Sequence, residues 1–92
     1  MSEDLTQTLT DRSNRYGPFI GHAEVTQRLK RVMAEELAKR NKNLTDDQWE
    51  ALEMIAHKIG RIVNGDPDYA DSWVDIAGYA KLVADRLQGT VR

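Results

Sequence analysis

Apolar side chains recur every three or four residues through three long stretches of this chain, and nowhere do apolar and polar residues alternate as they do in a half-buried strand. A fold of helices packed on helices follows. From about residue 21 to 40 the stripe is Val25, Leu29, Val32, Met33 and Leu37, extended by Phe19 and Ala23. From 46 to 64 it is Trp49, Leu52, Ile55, Ala56, Ile59, Ile62 and Val63. From 67 to 88 it is Trp73, Ile76, Ala77, Ala80, Val83, Ala84 and Leu87. A shorter, loosely amphipathic helix over 4–16, carrying Leu5 and Leu9, should end at Gly17-Pro18, since proline disfavours helical geometry in the residue before it.

Local signals mark the joints. Thr45-Asp46-Asp47-Gln48 reads as a capping box. Asn64-Gly65 is expected to stop the second long helix through a left-handed glycine. Asp66 as N-cap and Pro67 at the first helical position are expected to start the next one, and Gly89 to end it. The run Lys39-Arg40-Asn41-Lys42-Asn43 reads as a solvated helix end whose cations complement the dipole. The reading is one all-α domain over 1–92, a compact bundle of three main helices with antiparallel neighbours plus a short N-terminal helix.

A chain of 92 residues buries only roughly 60–65% of its unfolded surface. Homo-oligomerisation is therefore the expected source of further stability. Thirteen Lys and Arg against fifteen Asp and Glu give a formal charge of -2, which makes a duplex nucleic acid partner unexpected. The absence of cysteine excludes disulfides and thiolate metal sites. No apolar run reaches the ~20 residues of a membrane span, and MSEDLTQTLTDR is too polar for a signal peptide. A cytoplasmic protein with no membrane partner is expected.

The chemistry concentrates between Lys58 and Tyr79, around one helix-to-helix joint. On a helical wheel Lys58 and Arg61 lie away from the Trp49–Val63 stripe, and at a separation of three they are surface neighbours. Asp71, Asp75 and Tyr79 fall opposite Trp73 and Ile76 on the last helix. Arg15 beside Tyr16 joins a bidentate phosphate donor to a flat aromatic platform, and Arg12 adds a second cation. The candidate ligand-binding residues are thus Arg12, Arg15, Tyr16, Lys58, Arg61, Asp71, Asp75 and Tyr79. Asp71 and Asp75, one turn apart, can share one cation; alternatively Asp71 complements the helix start while Asp75 pairs with Arg61, Arg15 or Arg86. Glu50 and Glu53 with Asp71 and Asp75 make a loose magnesium box. Trp73 reads as core, and His22 and His57 as ordinary helix residues.

Asp11-Arg12 with Tyr16-Gly17, then Lys58-Ile59-x-Arg61-Ile62-x-x-Gly65, then Asp71-x-Trp73-x-Asp75-x-Ala77-Gly78-Tyr79-Ala80, resembles a family of small proteins of tailed phages and prophages. That family is similar to the phage nucleotide-modification-associated domain and, more distantly, to the all-α MazG-like nucleoside triphosphate pyrophosphohydrolases. The resemblance covers residues 10 to 85. It implies a phage origin, residence in the cytoplasm of the bacterial host cell and a nucleotide-related role, and its family positions here are Arg12, Tyr16, Gly17, Lys58, Arg61, Asp71, Trp73, Asp75, Gly78 and Tyr79. MazG-like enzymes direct an E-x-x-E and an E-x-x-D pair at Mg²⁺; here the second pair is Asp71 and Asp75 at a different spacing, with Lys58 and Arg61 adding positive charge. The favoured expectation is a non-catalytic binder of a nucleotide or cyclic nucleotide, with no catalytic residue, metal or cofactor, able to sequester a host defence messenger. A Mg²⁺-dependent pyrophosphohydrolase and a helical protein-protein interaction module are the alternatives.

Overall fold

The computed structural model describes residues 3–92. They form four α-helices, α1 (Glu3–Tyr16), α2 (Phe19–Lys39), α3 (Asp46–Asn64) and α4 (Ala70–Leu87), with no strand among the described residues. The all-helical class and the short first helix agree with the apolar spacing. At the start of α3 the capping box forms, Thr45 N donating to Gln48 Oε1 at 3.0 Å. Gly89, at φ 95°, follows the last residues of α4 as expected.

Three boundaries differ from the sequence reading, each for a local reason. Helix α2 starts at Phe19, two residues before Gly21, because Pro18 stands outside the helix at φ -59°, ψ 136°, and its carbonyl accepts from Gly21 N and His22 N. Gly65 is not left-handed, at φ -127°; it is required for space, since a Cβ there would lie 2.3 Å from Tyr16 Cα. Besides Gly89, Gly17 at the α1–α2 joint is left-handed (φ 78°). Asp66 and Pro67 do not start α4. Asp66 Oδ1 accepts from Asp68 N at 2.9 Å to close a turn, and the helix begins three residues beyond Pro67, at Ala70.

Helix α3 lies between α2 and α4. Lys58 turns toward α4, where it reaches Asp75, whereas Gly60 turns toward α2, where a Cβ would lie 2.6 Å from Thr26 Cγ2. Ala51 and Ala56, also on α3, are the buried apolar residues, and no large side chain is fully enclosed among the described residues. Helices α2 and α4 do not touch, so the bundle is open, a layer three helices wide with α1 laid against α2 and α3. Its extents are 46 × 30 × 27 Å and its radius of gyration is 15.6 Å. A compact domain of this length has a radius near ~12 Å, so the expected compactness is not met by the single chain.

The expected inside of α4 is corrected in consequence. Helix α4 turns Ser72, Ile76, Tyr79 and Val83 inward, leaving Trp73 54% and Leu87 60% exposed with Ala77, Ala80 and Ala84 beside them. Trp73 is anchored through its edge instead, Nε1 donating to Pro67 O at 2.9 Å. Lys58, read from the wheel as outer surface, is buried, because α3 is covered on two opposite sides rather than one.

Candidate functional site

The α1–α2 joint is clamped onto the C-terminal end of α3. Asn64 Nδ2 donates to Tyr16 O (3.0 Å) and Pro18 O (2.9 Å), and Asp66 N donates to Arg15 O at 2.9 Å. Gly17 and Gly21 make this approach feasible: a Cβ at either would meet Asn64 at 2.1 Å and 2.4 Å. Three elements thereby enclose a cavity of about 530 Å³, lined by α1 (Leu9, Arg12, Ser13, Tyr16), by Phe19 and His22 of α2, and by His57 and Arg61 of α3, with Gly17 at the joint.

Cation and aromatic alternate across this cavity. The Arg61 guanidinium lies over the Tyr16 ring, 4.1 Å from its centroid, in cation–π geometry that leaves its N–H edge free to donate. Arg12 is exposed on the opposite wall and has no carboxylate partner among the described residues. No acid is among the lining residues, so the fixed charge of the walls is positive. The floor is a histidine pair, His22 Nε2 to His57 Nδ1 at 3.1 Å, with the rings edge to face. Burial, then Arg61, lowers the His22 pKa; burial, then His22, Arg61, Lys58 and Lys30, pushes His57 down to about 4. Both imidazoles are therefore neutral near pH 7, one donating to the other.

The eight predicted residues separate into three groups. Arg12, Tyr16 and Arg61 line the cavity. Arg15 and Asp71 meet at Tyr69, beside it: Arg15 lies over the Tyr69 ring at 4.5 Å and donates to its hydroxyl (3.3 Å), and that hydroxyl donates to Asp71 Oδ2 at 2.8 Å. The third group is turned away. Lys58 Nζ is 2.9 Å from Asp75 Oδ2, a pairing in place of the Arg61, Arg15 or Arg86 partners considered for Asp75. Arg86 instead holds Asp47 through two hydrogen bonds of 2.8 Å. Tyr79 lines a separate groove with Asp46, Glu50 and Arg86.

The acids of the loose magnesium box are likewise dispersed. Glu53 sits 3.7 Å from Lys30, Glu50 lies in the Tyr79 groove, and Asp71 and Asp75 have the partners above. Among the described residues no three His, Cys, Asp or Glu side chains cluster as metal ligands would.

His22, His57 and Phe19 at the cavity, and Tyr69 beside it, are not among the candidates that the sequence suggests. The histidines are 35 residues apart on different helices, so spacing carried no sign of their pairing. No helix of the described residues is long and apolar enough to cross a membrane.

The chain matches the DUF6378 family, described as a domain of unknown function, over residues 3–87, nearly its whole length, and belongs to that family. Neither a curated protein nor a solved structure matches it.

Proposed function

We propose that this member of the DUF6378 family binds a phosphate-bearing nucleotide in the α1–α2–α3 cavity without transforming it. One observation carries the reading: Arg12 and Arg61 face a cavity that also presents Tyr16 and Phe19 and no acid. A guanidinium edge donates two parallel hydrogen bonds to phosphate oxygens, and an aromatic face accepts a planar base. A volume of about 530 Å³ lies within the range of small-molecule sites. The neutral His22–His57 pair would offer a base edge a donor or an acceptor according to tautomer. Arg15, Tyr69 and Asp71 brace the rim, and Lys58 with Asp75 hold α3 to α4 behind it. With the motif resemblance to phage proteins, the proposal extends to a cytoplasmic phage protein that sequesters a host signalling nucleotide, acting as a homo-oligomer and needing no cofactor.

Calorimetry against linear and cyclic nucleotides tests it, with pyrophosphate release assayed in the same solutions. Saturable heat without turnover is expected. Arg61→Ala should weaken binding tenfold or more, since a charge-assisted hydrogen bond contributes about 1.5–3 kcal/mol. No heat from any nucleotide at micromolar protein would overturn the proposal, and pyrophosphate release from a triphosphate would replace it with the hydrolase reading.

A further inference from the structure

The face of the α2–α3–α4 layer opposite α1 is apolar and uncovered. Val32 of α2, Leu52 and Val63 of α3, and Trp73 and Leu87 of α4 are exposed, Val63 by 66%, and on α3 helical spacing sets Leu52 and Val63 away from the cavity-lining His57 and Arg61. Leu52 and Ala80 line one shallow groove where α3 meets α4, which places both helices' apolar stripes on the same side. The α4 stripe runs Trp73, Ala77, Ala80, Ala84, Leu87, with steps of four, three, four and three. Those steps are the a/d spacing of a helix that packs on another helix. Within one chain nothing packs there, because α4 turns Ser72, Ile76, Tyr79 and Val83 to α3 instead.

We infer that this face is an interface between two copies of the chain, the layers stacked apolar side to apolar side with the two cavities facing outward. The area argues for an obligate contact. The accessible surface is 6801 Å², whereas a folded monomer of this mass exposes about 5,400 Å². The excess, about 1,400 Å² per chain, falls within what each partner gives up in an obligate homodimer burying about 2,000–5,000 Å² in total. A second copy fits better than an unrelated partner, since a chain whose buried apolar residues are two alanines needs its partner in order to fold, and a copy is present wherever the chain is made. A two-fold axis also pairs each seam with its own duplicate.

Sedimentation equilibrium tests the interface independently of any nucleotide. The wild-type chain should have twice its sequence mass down to low micromolar concentration. Val63→Glu and Leu87→Glu, both at positions already exposed in the single chain, should raise the dimer dissociation constant at least tenfold. Leu82→Glu, 49% exposed and lining the groove on the α1 side of the layer with Tyr79 and Arg86, should leave the mass unchanged. In a Trp49→Phe background Trp73 is the sole tryptophan, and dilution should make its emission more accessible to acrylamide. A helical, monomeric wild-type chain at high micromolar concentration, Glu variants that dimerise as tightly as wild type, or Trp73 quenching that ignores concentration would each overturn the inference.

Discussion

Lys58 and Arg61 are three residues apart on one helix and end in different surroundings. Lys58 is buried against α4 with Asp75, so its charge is already matched; Arg61 reaches over Tyr16 and into the cavity. The sequence supplies the two cations, and the second neighbour of α3 divides their roles. His57 carries the cost of that arrangement. Its folded pKa, about 4, lies below the unfolded value of about 6.5, so between these values the unfolded chain binds more protons and folding weakens as pH falls. Thermal melts at fixed protein concentration should therefore show a falling midpoint from pH 6.5 to 4, and His57→Gln should flatten that slope. An unchanged slope in the variant would assign the loss to other groups. Asp47, held at about 2 by Arg86 and then Thr45, acts in a lower window, its pairing with Arg86 being lost as pH falls from about 4 toward 2.

Helix α1 has no buried residue and, at 14 residues, is near the length below which an isolated helix is marginal in water. Its position depends on the joint that follows it, where Asn64 bonds the Tyr16 carbonyl and adds a further donor to the Pro18 carbonyl, which already accepts from Gly21 N and His22 N at the start of α2. Asn64→Ala should cost about 0.5–1.5 kcal/mol, the net contribution of a typical intramolecular hydrogen bond, since the bonds lost are part-buried and exposed. Its signature should be regional: amide exchange over 3–16 accelerates while α3 and α4 keep their protection. Uniform acceleration across all four helices would show that the joint supports the whole layer rather than α1 alone. Since Arg12 and Tyr16 reach the cavity from α1, the same variant should also weaken nucleotide binding.

At the scale of the whole molecule, the proposed pairing of two open layers would tie stability to association. If folding and pairing are one process, the melting midpoint rises with protein concentration by mass action. A midpoint that climbs by several degrees from low to high micromolar chain, followed by circular dichroism, is the expected outcome. A midpoint constant over that range would mean that the single layer is stable alone, with its apolar face uncovered.

Helix number, class and most boundaries could be read from the chain because apolar spacing, the Thr45–Gln48 capping box and the Gly17-Pro18 break are local, acting within a few residues of one another. Arg12, Tyr16 and Arg61, far apart along the sequence, line one cavity in the folded chain. What remained for the folded chain to settle was which side of each stripe is covered. Trp73 and Lys58 exchanged expected places, because a helical wheel shows where apolar side chains lie but not how many neighbours a helix has. The His22–His57 pair and the clamp from Asn64 to Tyr16 are contacts between residues 35 and 48 apart in the chain. No periodicity encodes such distances; they exist only once α1, α2 and α3 have met.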